Sequence, residues 1–197
     1  MTCIVGIEHK GRIWMGGDSG VFSGWDFTSL PDGKVFAIGE FLIGVAGDAR
    51  LGQLVRHKFA PPVFAEGEDL DKYMITSFVD ALRDCLKNAG AVSRINEKEQ
   101  SIGQLLVGIR GRLYCVWSDY AVERDSRPYR AIGCGANYAL GALFVDKSRA
   151  PHTRIRNALN AAIEYSAGVK GPITILHSYP EKHDLLTILQ TSANIDT

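Results

Sequence analysis

The residues able to do chemistry start at the first two positions, Met1-Thr2. Aminopeptidases that trim initiator methionine act when a small residue follows, and threonine is small. A trimmed chain begins at Thr2, which then carries a hydroxyl and a free α-amine within one residue. A hydroxyl is a poor nucleophile at its own pKa and needs an adjacent base. An α-amine has a reference pKa of about 7.7–8.0, so a useful fraction is neutral near pH 7. One residue can thus supply both nucleophile and base. Many chains begin Met-Thr, so the dipeptide needs partners before it means anything.

Three further positions supply them. Asp18 follows Gly16-Gly17, and adjacent glycines in a strand suggest a close backbone approach. Lys34 stands after the turn-forming Leu30-Pro31-Asp32-Gly33 run. A lysine beside a hydroxyl lowers the hydroxyl pKa, and an aspartate beside the lysine fixes its charge in place. Gly47 ends the run Gly44-Val45-Ala46-Gly47 directly before a helix. Backbone N–H groups at such a junction can stabilise an oxyanion. Taken singly, these are an ordinary strand-end Asp, an ordinary Lys and a glycine in a connection.

The elements expected to position them follow from hydropathy. Thr2–Ile7 and Ile13–Asp18 read as a hairpin turning near Lys10-Gly11, which brings Thr2 and Asp18 to one end. A polar loop is expected to run to Gly33, then strands at Lys34–Ile38 and Phe41–Ala46. Asp48 is the expected N-cap of a helix whose Leu51, Leu54, Val55 and Phe59 share one face, stopped by Pro61-Pro62. A second helix is expected over Leu70–Ala89, a polar loop over Val92–Gln100, and strands at Gln104–Ile109, Arg112–Trp117 and Arg130–Ile132. The turn Gly133-Cys134-Gly135-Ala136-Asn137 leads into a third helix, a fourth covers Arg154–Ser166, and strands at Ile173–Leu176 and Leu185–Leu189 finish the chain. Runs of strands alternating with pairs of helices disfavour a doubly wound parallel sheet and favour an α+β fold of antiparallel sheets covered by helix pairs.

The totals narrow the classes. The 197 residues suit one domain, and 46% hydrophobic with 22% charged residues argues against disorder. Lys+Arg and Asp+Glu are 22 each, and the basic residues are scattered, so no nucleic-acid partner is expected. The four cysteines (Cys3, Cys85, Cys115, Cys134) form no C-x-x-C pair, so no metal is implied. The N-terminus lacks a basic segment followed by an apolar run, so reduced thiols and a cytoplasmic location are expected. No apolar run nears the roughly 20 residues of a membrane span, so no membrane partner is expected.

Together these residues resemble the proteasome β-type subunits, and especially the HslV-like N-terminal-nucleophile (Ntn) hydrolases. Thr2-Cys3-Ile4-Val5-Gly6 matches their start after Met removal, and Gly17-Asp18, Lys34 and Ala46-Gly47 stand at matching distances. Far downstream, Gly133-Cys134-Gly135-Ala136-Asn137-Tyr138-Ala139 is similar to their Gly-Ser-Gly-Gly/Ala motif. The likeness runs from Thr2 to about Leu189. It implies a four-layer αββα sandwich, with Thr2 as nucleophile, Asp18 and Lys34 as its electrostatic support and Gly47 N–H as oxyanion donor. It also implies a threonine-type endopeptidase acting on peptides or unfolded proteins without a cofactor. Such a peptidase works inside a homo-oligomeric ring, for which an AAA+ ring ATPase is a candidate partner.

The likeness has departures. Cys134 replaces the family serine near the amine, and a thiol is a weaker hydrogen-bond partner. Ser166 occupies the place where the family often has an aspartate after its last long helix. Ser19-Gly20-Val21-Phe22-Ser23 replaces a polar stretch bearing a channel-lining threonine, and Ala49 resembles a floor residue of the specificity pocket. Two other functions use the same residues: a non-catalytic subunit of such a ring, and a hydrolase of small-molecule amides.

Overall fold

A computed structural model describes residues 1–65, 67–95 and 97–178. Strands β1 (Ile4–His9) and β2 (Arg12–Asp18) form the expected hairpin. His9 pairs with Arg12 across a two-residue turn in which Lys10 and Gly11 both have positive φ, the geometry that matches strand twist. That turn sets the register placing Ile4 opposite Gly17, so the first residues of the chain lie beside Asp18. Next come a short hairpin, β3 (Gly20–Ser23) and β4 (Asp26–Ser29), and then β5 (Val35–Ile38) and β6 (Phe41–Gly47).

Helix α1 (Ala49–His57) starts where expected, its first turn capped by the Asp48 side chain accepting from Arg50 N. Helix α2 (Leu70–Tyr73) continues through a π-helical turn (Met74–Phe78) into α3 (Val79–Asn88), so the single helix expected over Leu70–Ala89 is interrupted in its hydrogen bonding. Strands β7 (Val92–Ile95), β8 (Lys98–Ser101), β9 (Gly103–Ile109), β10 (Arg112–Val116), β11 (Val122–Glu123) and β12 (Tyr129–Ile132) follow. Helix α4 (Ala136–Val145), α5 (Pro151–Tyr165) and β13 (Ile173–His177) complete the described order. The α5 helix begins at Pro151 rather than Arg154, because proline suits the first helical position, where no N–H partner is needed. The strand expected at Leu185–Leu189 lies outside the described residues.

One sheet has the order β12-β1-β2-β13 and the other β11-β10-β9-β6-β5, and every pairing in them is antiparallel. Strand alternation sorts the side chains. From β1, Val5 and Ile7 pack with Ala139, Leu143, Ile155 and Leu159 of α4 and α5, whereas Ile4 packs with Leu42, Ala46 and Leu106 of the second sheet. From β6, Ile43 and Val45 pack with Leu51 and Leu54 of α1 and Phe78 and Leu82 of the α2–α3 helix. Both faces of these strands are therefore covered. Hence they read as near-continuous apolar runs, each fully buried Ile or Leu contributing about 1.5–3 kcal/mol. The class is α+β, as expected.

Two expected loops are hairpins instead. The segments before Leu30 and over Val92–Gln100 form β3–β4 and β7–β8, two-stranded sheets standing off the main pair. One strand of each hairpin, β4 and β7, is exposed over all or most of its length, so the period-2 signal that marks a half-buried strand is missing there. Among the described residues, no helix is long and apolar enough to cross a membrane.

Candidate active site

Asp18 ends β2 and is fully buried. A buried carboxylate must have its acceptors met. Its Oδ1 accepts from Cys3 N at 2.9 Å, and its Oδ2 accepts from Gly20 N at 3.2 Å, Lys170 N at 3.4 Å and Lys34 Nζ at 2.9 Å. Lys34 stands just before β5, its carbonyl accepting from Val45 N at 3.1 Å, which pins its backbone to β6. Its ammonium has three partners: Asp18 Oδ2, Thr2 Oγ1 at 3.0 Å and the Met1 carbonyl oxygen at 2.9 Å. The Lys34 side chain is 9% exposed and that of Asp18 is 0% exposed, so this ion pair is weakly screened.

Thr2 is buried, and its hydroxyl also donates to the Met1 carbonyl. The turn before α4 cradles its backbone. Gly135 N donates to Thr2 O at 3.2 Å, and Thr2 N donates to Cys134 Sγ at 3.3 Å. The thiol in turn donates to Thr2 O at 3.4 Å. Gly133 has φ +91, and a Cβ there would lie 2.3 Å from the Thr2 carbonyl oxygen, so only glycine lets the two backbones approach this closely.

The structure therefore brings Thr2, Asp18, Lys34 and Cys134 together. Ser166 is one step further out: its hydroxyl contacts Cys134 Sγ at 3.8 Å, and its backbone N–H is spent on Ala162 O at the end of α5. Gly47 lines the same cleft as Thr2 and Lys34. Its φ is +147, and a Cβ would fall 2.5 Å from Gly103 Cα and 2.6 Å from Ile102 O, so packing demands a glycine there whatever its N–H does. Ala49 lines the cleft too.

Cys3 adjoins Thr2 but is no rival nucleophile. Burial, reinforced by the charge of Asp18, pushes its thiol up to about 12, so it stays protonated near neutrality. All four cysteines are unpaired, and among the described residues no group of three or more His, Cys, Asp or Glu could hold a metal.

Sequence reasoning missed several contributors. Lys170 N and Gly20 N hold Asp18 through the backbone, which leaves no residue-type signal. The cleft, about 560 Å³, takes Val21 and Phe22 from the stretch the resemblance set beside the substrate channel, and also Gln53, Arg56 and His57 from α1, which were not foreseen. The helical spacing of Ala49, Gly52, Gln53 and Arg56 is the signal that could have found that wall.

Two antiparallel sheets flanked by helices, with a Thr–Lys–Asp cluster at their common end, define the fold of the proteasome-like Ntn hydrolases. Among solved structures, Thiobacillus denitrificans BPH superposes with a TM-score of 0.76 at 20% identity, over 92% of this chain and 100% of that one. BPH in complex with epoxomicin gives 0.72 at 22% identity, over 89% and 97%. HslV from Trypanosoma brucei gives 0.65 at 16% identity, over 90% and 100%. What is shared at these identities is the fold. No protein-family model and no curated protein sequence matches the chain.

Proposed function

We propose that the chain is a threonine-type endopeptidase, one domain built as a four-layer αββα sandwich. The observation that carries this reading is the Lys34 ammonium, held at once against the Thr2 hydroxyl and the buried Asp18 carboxylate. In the chain bearing Met1, the Thr2 nitrogen is an amide and cannot act as a base. Loss of Met1 turns it into an amine on the same residue as Oγ1.

The amine takes the hydroxyl proton as Oγ1 attacks the substrate carbonyl carbon. Lys34 stabilises the developing alkoxide charge, and Asp18 holds that ammonium in position. Gly47 N–H receives the oxyanion. The proton passes from the ammonium of Thr2 to the leaving amine, an ester forms on Oγ1, and water activated by the same amine then hydrolyses it. Cys134 and Ser166 position the amine: the thiol faces the Thr2 nitrogen, and the serine hydroxyl faces the thiol.

The substrates are peptides or unfolded proteins, admitted to a homo-oligomeric cytoplasmic ring that an AAA+ ATPase feeds. The fold shared with HslV and BPH supports that assembly. Because BPH has been solved in complex with epoxomicin, that compound is the probe for this chain. Intact mass should show Met1 absent and one epoxomicin bound per chain. Thr2→Ala should bind none and hydrolyse no peptide while unfolding at the wild-type temperature. Undiminished hydrolysis by pure Thr2→Ala refutes the assignment, and retention of Met1 favours the non-catalytic subunit.

A further inference from the structure

The β3–β4 hairpin presents a large apolar side chain to nothing on its own chain. Ser23 pairs with Asp26, which leaves Gly24-Trp25 as a two-residue turn. Gly24 has φ +59, the conformation that favours glycine at the first central position of such a turn. Trp25, at the tip, is wholly exposed. The hairpin beneath it is braced. Phe22 and Phe27 meet at 6.1 Å between ring centres, Lys170 Nζ lies 5.7 Å over Phe27, and Ser29 Oγ donates to Gly171 O at 3.2 Å. The Thr2 cleft takes Val21 and Phe22 from this hairpin but not Trp25. A held, exposed indole outside the catalytic cleft marks a surface for another molecule.

A second concavity, of about 420 Å³, lies beside the end of α4, with Tyr129, Leu143, Phe144, Lys147 and Arg154 in its wall. Arg154 lies 5.4 Å over the Tyr129 ring, and Lys147 Nζ lies 5.7 Å over the ring of Phe144. Each cation spends a hydrogen bond on a carbonyl at the end of α4: Arg154 on Leu143 O at 2.9 Å, Lys147 on Phe144 O at 3.2 Å. A guanidinium has five donors and an ammonium three, so both keep donors to give. Arg127, also in the wall, is answered by Asp125 at 3.0 Å. The carboxylate of Asp146 in the same wall accepts from Ser148 N at 2.7 Å and Asn157 Nδ2 at 2.9 Å. Among the described residues, no carboxylate forms an ion pair with Arg154 or Lys147. An indole suits this hole, since it is apolar and its face attracts cations. Asp26, next to Trp25 and exposed, carries the carboxylate that the two cations lack.

We propose that Trp25 of one copy of this chain seats in the Tyr129–Phe144 pocket of the next copy, with Asp26 facing Lys147 and Arg154. Knob and hole are different patches. The hairpin leaves the first sheet just after Asp18, whereas the pocket lies at the end of α4 away from Thr2, about 15 Å along that helix. A contact between unlike patches repeats from copy to copy and closes into a ring when its rotation allows. The zero formal net charge of the chain adds no general repulsion between copies. Tryptophan is also the residue type most enriched among those that carry binding energy at interfaces. This names the contact for the proposed ring and rests on that assembly.

Size-exclusion chromatography with light scattering on the full chain tests it. Wild type should run as three or more copies. Trp25→Ala and Lys147→Glu, both at exposed positions, should unfold close to the wild-type temperature. Each should need at least tenfold more protein to assemble. Mixed in equal amounts, the two variants should form a pair and nothing larger. The first keeps its pocket and the second its tryptophan, so one sound contact remains per pair. Should Trp25→Ala fold poorly, Asp26→Lys gives the same loss, and Asp26→Lys combined with Lys147→Glu should regain assembly. A Trp25→Ala protein that assembles as wild type does, or a mixture that forms no pair, overturns the contact, and an oligomeric wild type then leaves the ring standing. A monomeric wild type overturns contact and ring together, while epoxomicin labelling of Thr2 in that monomer keeps the peptidase chemistry.

Discussion

Replacing Lys34 with methionine keeps most of the side-chain volume and removes the charge, so the variant isolates the electrostatic role. The ammonium lies 3.0 Å from Thr2 Oγ1. At that separation, a full charge on the oxygen would interact with it by about 5 kcal/mol at an effective dielectric near 20. If about half the charge has developed at the transition state, the loss is about 2.5 kcal/mol, or about two orders of magnitude in kcat. The change should appear in kcat more than in KM, because the oxygen is neutral before attack. Stability falls as well. Breaking a buried ion pair by removing one partner costs about 3–5 kcal/mol. Asp18 keeps its bonds from Cys3 N, Gly20 N and Lys170 N, which places the loss at the lower end of that range.

For a chain of this size, a loss of about 3 kcal/mol lowers Tm by roughly 6–12 °C. Activity must therefore be read well below the transition, with Tm measured by calorimetry on the same preparation. The assay is single-turnover acylation of the Met1-free protein by a fluorogenic peptide. A Lys34→Met enzyme with kcat within threefold of wild type, Met1 being absent, would refute the mechanism. A large drop in Tm with kcat intact would mean that the Lys34–Asp18 pair is a structural strut alone.

The remaining predictions are shorter. The kcat/KM of the mature protein should rise with pH through about 7.7–8.0, since only the neutral amine of Thr2 can take the hydroxyl proton; a fall between pH 6 and 8 would contradict the amine as base. Iodoacetamide at pH 8 should modify the exposed Cys134 and leave Cys3 untouched in the native protein, as peptide mass mapping would show. The folded-state value of Cys3, about 12, lies above its ordinary 9.0, so the unfolded chain loses this proton first as pH rises. Stability from this group is complete below pH 9 and declines above it, by at most about 1.4 kcal/mol per pH unit, in urea unfolding compared against Cys3→Ala. Gly47→Ala should lose about 3 kcal/mol or more, from the positive φ and the clash with Gly103, and a wild-type urea midpoint would contradict that.

How much of this could be read from the sequence depended on whether a feature is local. The Thr2–Asp18 proximity follows from one hairpin whose turn sets the register, and Lys10-Gly11 marks that turn. Lys34 and Gly47 flank apolar strands that alternate between two cores, so their positions at strand ends were visible too. The β3–β4 hairpin was not, because its residues Asp26–Ser29 are exposed along their whole length and carry no buried face to reveal a period. Nor could the reach of Arg56 to the Asp32–Gly33 carbonyls be foreseen, since it joins a helix to a loop 23 residues away through backbone oxygens. Ser166 shows the limit of motif likeness: it stands near the expected place, yet its hydroxyl meets the sulfur of Cys134 rather than Thr2.

The site straddles the seam between the two sheets. Thr2 and Asp18 belong to the end of the first sheet, and Lys34 and Gly47 to the end of the second. A Cβ on Gly17 would meet Ile4 at 2.7 Å and Val35 at 3.0 Å, so the missing side chain lets the two sheets close at this end. The Lys34 stem then spans the seam, and its charge lands on Thr2 rather than in solvent. Packing between the sheets thus sets the distance between the Thr2 hydroxyl and the Lys34 ammonium. The Met1 carbonyl takes a hydrogen bond from both Lys34 and the Thr2 hydroxyl, so the initiator residue sits on the very groups that would act on a substrate. On the proposed mechanism, removing Met1 would do two things at once: turn the Thr2 nitrogen into an amine and vacate the Lys34 ammonium.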